Sequence, residues 1–202
     1  MIIASIVTDI TGIFVFLFIF WKHLREDYSP EIIFKAVFDI LAGIFIGFLV
    51  SLKFMPHAFF WAVILGGLVG LGVSIFRLKL KFYEVFEALI ISSLPWLSFI
   101  FLLDSVTHSS LNSFIAFIAT LIFVFISYFL DAHYKNFVWY KSGRIGFSGV
   151  ATLGLFFITR SLLAIFRINV ISFVSLGVEA ILSGVAALIC LVLLFNLTNA
   201  KK

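Results

Sequence analysis

The chain has 202 residues, 63% of them hydrophobic and only 12% charged, with a mean hydropathy of +1.25. A water-soluble core needs a polar shell, and so few charged residues cannot build one, which excludes a soluble globular domain. The net charge of +4 and the pI near 9.3 therefore bear on topology and anionic lipid contact rather than on nucleic-acid binding.

A helix rises about 1.5 Å per residue and the hydrocarbon core is roughly 30 Å thick, so about 20 apolar residues cross it. Seven runs meet this length, at 2–20, 32–52, 58–76, 84–103, 111–130, 145–166 and 172–197. They are continuously apolar, without the alternation of barrel strands. The pattern predicts an all-α integral membrane protein, a single transmembrane domain over residues 1–202 with seven helices and short connections.

Span one carries Asp9 and lacks the basic start and small-residue cleavage pattern of a signal peptide. Lys35 and Asp39 stand four apart in span two and are expected to pair. Span three holds Gly66 and Gly67. Glu84 and Glu87 open span four beside Lys79 and Lys81 and read as a solvated helix start, where carboxylates are favourable. Asp104 ends that span. Span six holds Arg160, and span seven holds Glu179, a small-residue face of Gly177, Ala180, Gly184 and Ala187, and the single cysteine, Cys190, read as an inert buried thiol.

Eleven of the 14 Lys and Arg (Lys22, Arg25, Lys35, Arg77, Lys79, Lys81, Lys135, Lys141, Arg144, Lys201 and Lys202) fall on one side; Lys53, Arg160 and Arg167 are the others. The positive-inside rule then predicts an N-out, C-in topology. Trp21, Tyr83, Trp139 and Tyr140 stand at the basic ends, where amphipathic rings favour the interface. His23, His57, His108 and His133 all lie in or beside connections, and no His, Cys or carboxylate set has metal-ligand spacing, so neither a metal nor a cofactor is expected. The Asn196-Leu197-Thr198 sequon lies at the basic end of a span and is discounted.

Ionisable residues deep in a span are costly and suggest a function. Counted from the outer surface, Arg160, Glu179, Asp9 and the Gly66-Gly67 pair lie at similar depth, roughly 10–14 Å down, with Asp104 shallower. Two readings stay open. One is a buried Arg160–Glu179 ion pair with close packing on the small-residue face. The other is a cavity in which Arg160 holds a lipid phosphate bidentately and the glycines admit a headgroup.

Three stretches carry a resemblance. Gly66-Gly67-Leu68-Val69-Gly70, then Arg77 to Lys81 and Phe82 to Glu87, resemble the His-Gly-Gly-Leu-Ile-Gly span, basic turn and acidic helix start of the prolipoprotein diacylglyceryl transferase family. Gly146 through Arg160 to Arg167 resembles its late Gly…Arg…Glu…Arg helix, and Trp21 to Pro30 its first connection. The resemblance implies a seven-span, N-out, C-in protein of the bacterial inner membrane, with a phosphatidylglycerol-like phospholipid and a lipoprotein precursor as partners.

The departures fall on the chemistry. The motif histidine is Leu65 here, and the arginine-bearing motif of span four reads Phe99 to Asp104 without an arginine. The Gly-Ala-Arg of span two reads Gly43-Ile44-Phe45, and the late glutamate is Ala164. Gly143-Arg144-Ile145-Gly146-Phe147 has the letters of the span-four motif, but in another span and on the other side. Thiol attack on the glycerol carbon needs cations on the leaving phosphate and a group to take the thiol proton, and losing one positioned donor typically costs about 100- to 1000-fold. The expectation is a diverged relative with an outer-leaflet phospholipid-binding cavity formed by Arg160, Gly66, Gly67, Glu179, Asp9 and Asp104, weak or inactive in transfer. The alternatives are an active transferase in lipoprotein biosynthesis and a structural subunit of a membrane complex, its Phe-rich faces packed on another subunit.

Overall fold

The computed structural model describes residues 2–54, 58–137, 140, 142, 145–165 and 177–199. Among them are seven helices long and apolar enough to cross a membrane: α1 (Ile2–Leu24), α2 (Pro30–Phe54), α3 (Phe59–Leu78), α4 (Phe82–His108), α5 (Leu111–His133), α6 (Phe147–Ile165) and α7 (Gly177–Asn199). Most run a few residues past the predicted spans, because helix geometry continues until a cap stops it. The backbone of Lys79 closes α3, and that of Ser109 closes α4, each in the left-handed conformation with its N–H bonded back into the helix.

α4 is the central element, packed against α1, α5 and α6. α2 and α3 pair closely, as do α6 and α7. The apolar core runs along these seams: Phe16 and Phe20 of α1, Ile33 and Ile40 of α2, Val85 and Leu89 of α4, and Val150 and Phe157 of α6. Phe38, Phe76, Phe125 and Phe195 point outward, as apolar side chains do when lipid is the solvent.

Lipid offers no hydrophobic drive for helix association, so small residues that permit close approach decide the seams. Between α2 and α3 the backbones meet at Gly43, Gly47, Gly66 and Gly70: a Cβ on Gly43 would fall on the carbonyl oxygen of Gly66, and one on Gly66 on that of Gly43. Because backbone cannot yield there, Gly43→Leu is expected to lower stability in detergent by about 1–3 kcal/mol or more. Gly72→Ala, where the added carbon meets nothing within 4 Å, should leave stability unchanged or raise it slightly. Equal thermal midpoints for Gly43→Leu and the parent would refute the seam.

Two local expectations change. Lys35 pairs with Glu31 at 2.6 Å on the exposed face of α2, while Asp39 turns into the α2–α3 seam and meets Arg77 at 3.3 Å. The reason is rotational: Asp39 shares the seam stripe of Gly43 and Gly47, so its partner comes from α3. Tyr140 is buried against Tyr134 and Phe147 rather than facing outward as an interfacial ring would, because these two rings enclose its own. Trp139, Lys141, Arg144, Arg167, His57, Lys201 and Lys202 lie outside the described residues.

Candidate functional sites at the two bundle ends

Arg160 faces the interior near the end of α6 and is only 4% exposed. Its Nη2 lies 2.7 Å from Glu179 Oε2 in the first turn of α7, and its Nη1 donates to Ser183 Oγ at 2.6 Å. Trp61, in the first turn of α3, donates its indole N–H to the same Glu179 oxygen at 2.8 Å. The guanidinium lies over the Phe60 ring at 3.9 Å and over the Trp61 ring at 5.3 Å. The charge is thus met by a carboxylate, a hydroxyl and two aromatic faces, the partners that a buried guanidinium needs once water is gone. The ion pair read from the sequence is formed; Ser183, Phe60 and Trp61 were not read from it.

The same arginine borders a cavity of about 50 Å³ walled by Phe60, Phe101, Phe123, Phe156 and Thr159. The other expected residues lie elsewhere. Gly66 is filled by the α2 backbone and Gly67 is covered by Ile44. Asp9 is exposed on α1, a helix packed on α4 and α2. Asp104 accepts from the Ser113 hydroxyl and sits 2.9 Å from His108 Nδ1. Arg160 and Glu179 meet across α6 and α7, whereas the glycine pair of α3 faces α2 and Asp104 of α4 faces Ser113. The small-residue face of α7 does pack on α6: Ser161 donates to the carbonyl of Ala180, and Gly154 lies against buried Cys190.

The opposite, basic end holds a polar centre that the sequence reading missed. Glu84 and Glu87 are not solvated; they are 6% and 1% exposed. Glu87 Oε2 accepts the Gly146 N–H at 2.9 Å, and Oε1 accepts the Gly149 N–H at 3.1 Å and the Ser148 hydroxyl. The carboxylate caps the N-terminus of α6, satisfying donors that have no intrahelical partner and meeting the positive end of the helix dipole. Gly146 enters this cap with φ of +109°, a conformation open to glycine. At Gly149 an added Cβ would lie 2.8 Å from the Glu87 Cα, so glycine is what lets the two helices close.

Around Glu87, His23 ends α1 and Asp131 ends α5; one donor atom from each of the three lies within 4.8 Å of the others. They line, with Asp27, Glu84 and Tyr134, a cavity of about 140 Å³. Glu84 is separately held: Tyr28 donates to Oε2 at 2.6 Å and Lys81 to Oε1 at 2.8 Å. Burial pushes the Tyr28 phenol above its ordinary range, and its hydrogen bond to Glu84 pushes the same way. The Lys81 ammonium is likewise raised, chiefly by its bond to Glu84. His23 and Asp131 stand in the last turns of their helices; the usable signal was that polar residues recur there, though their meeting at Glu87 needs the fold.

No protein-family model matches the chain, and no curated protein or solved structure matches it either. Fold and composition together define a multi-pass α-helical membrane protein.

Proposed function

We propose that the protein is a diverged relative of the prolipoprotein diacylglyceryl transferases that binds a phospholipid beside Arg160 and is weak or inactive as a transferase. In this reading it resides in a bacterial inner membrane with the N-terminus outside and the basic ends of its helices in the cytoplasm. The observation that carries it is a buried guanidinium bordering an apolar cavity, between Phe60, Phe123 and Phe156. A cation flanked by apolar walls suits an amphiphile with a phosphate and an alkyl chain, and about 50 Å³ suits a segment of chain rather than a whole lipid.

Loss of transfer is supported by position. Leu65, where the motif histidine would stand, lies on the exposed face of α3. Glu179 is engaged by Arg160 and Trp61, which leaves it poorly placed to take a thiol proton. Purified protein is expected to move little or no diacylglycerol from phosphatidylglycerol to a lipobox cysteine peptide, and to copurify anionic phospholipid that is reduced in the Arg160→Leu/Glu179→Leu double variant. Robust transfer abolished by Arg160→Ala would make it an active transferase instead. A second reading, a structural subunit, is favoured by the closure of Arg160 on Glu179 and Ser183; lipid content unchanged in the folded double variant would select it. A reporter fused after Lys202 that is active only outside would overturn the orientation.

A further inference from the structure

We propose that His23, Glu87 and Asp131 bind a divalent first-row cation of the Mn²⁺ or Zn²⁺ type, clipping the basic ends of α1, α4 and α5 together. One imidazole nitrogen and two carboxylate oxygens form a mixed donor set suited to such ions, softer than the all-oxygen sets that hold Ca²⁺ or Mg²⁺. Metal–ligand bonds of about 2.0–2.2 Å put ligand atoms about 3–3.5 Å apart. The three donors within 4.8 Å of one another reach that spacing by small side-chain rotations.

His23 Nε2 and Glu87 Oε2 are 3.8 Å apart, too far for a hydrogen bond and near the spacing of two ligands on one ion. Glu87 is oriented by Gly146, Ser148 and Gly149, the outer support that ligating carboxylates receive. Those three donors use three of its four lone-pair positions, and the remaining one, on Oε2, is the oxygen facing His23. Asp131 is half-buried and accepts no hydrogen bond among the described residues. The two carboxylates of the trio balance a dication, and the adjoining 140 Å³ cavity with Asp27 and Glu84 provides room for metal-bound water. The competing arrangement is a protonated His23 shared between the two carboxylates, with no affinity for metal.

The test uses full-length protein in detergent, stripped with chelator and titrated with Mn²⁺ while free ion is followed by electron paramagnetic resonance. Binding of about one Mn²⁺ per chain is expected, displaced by Zn²⁺, with a higher thermal midpoint. Asp131→Asn and His23→Gln should each weaken binding about tenfold or more, while Glu31→Gln, a surface carboxylate of the same bundle end, leaves it unchanged. Size-exclusion profiles verify folding, and if one variant fails to fold the other carries the comparison. Absence of stoichiometric binding, or binding indifferent to both substitutions, overturns the proposal in favour of the shared proton.

Discussion

A Glu179→Leu variant should lose about 3–5 kcal/mol of stability, the cost of leaving a buried cation without its counter-charge. Arg160 cannot turn outward cheaply, because Phe60 and Trp61 cover it and Ser183 holds one nitrogen. Arg160→Leu/Glu179→Leu should recover most of that loss, since exchanging a buried pair for apolar groups is often neutral. The recovery stays incomplete, because Trp61 and Ser183 lose their partners at about 1 kcal/mol each. Thermal or denaturant unfolding of the four members of this cycle in detergent measures the coupling. Additive losses, with no recovery in the double variant, would mean that the two charges do not stabilise one another.

Glu87→Ala should be nearly as damaging, by about 3 kcal/mol, for a different reason. Besides removing the carboxylate 3.8 Å from His23, it orphans the Gly146 and Gly149 amides and the Ser148 hydroxyl, each buried donor costing about 1–3 kcal/mol. Water from the neighbouring cavity offsets part of this, which keeps the total below the sum. The effect should be local first: hydrogen exchange at residues 146–149 accelerates before the rest of α6 responds. Glu87→Gln, which retains one acceptor oxygen, should fall between. Unchanged exchange at the start of α6 in Glu87→Ala would show that the cap does not hold that helix.

The two ends of the bundle differ in how far they could be read from residues alone. Arg160 and Glu179 were legible because an ionisable group inside an apolar run has almost no cheap alternative to a buried partner, and adjacent spans joined by a short connection return to the same depth. Gly66 was legible as a place of close approach, but not what approaches: the backbone of Gly43, rather than a lipid. Glu87 was misread because a carboxylate at a helix start has an ordinary solvated explanation. Its actual role, at the start of a helix 59 residues further on, leaves no local mark.

Composition and periodicity by themselves determine the solvent, the number of spans and which ends carry positive charge, since each follows from transfer free energies summed along one segment. Which face of each helix turns toward which neighbour is decided only by the tertiary structure. Lipid and protein interior are equally apolar, so hydrophobicity does not distinguish inward from outward faces, and the choice passes to small-residue contacts and a few polar partners. That is why Asp39 meets Arg77 instead of Lys35, and why His23, Glu87 and Asp131, distant in the chain, converge on one cavity.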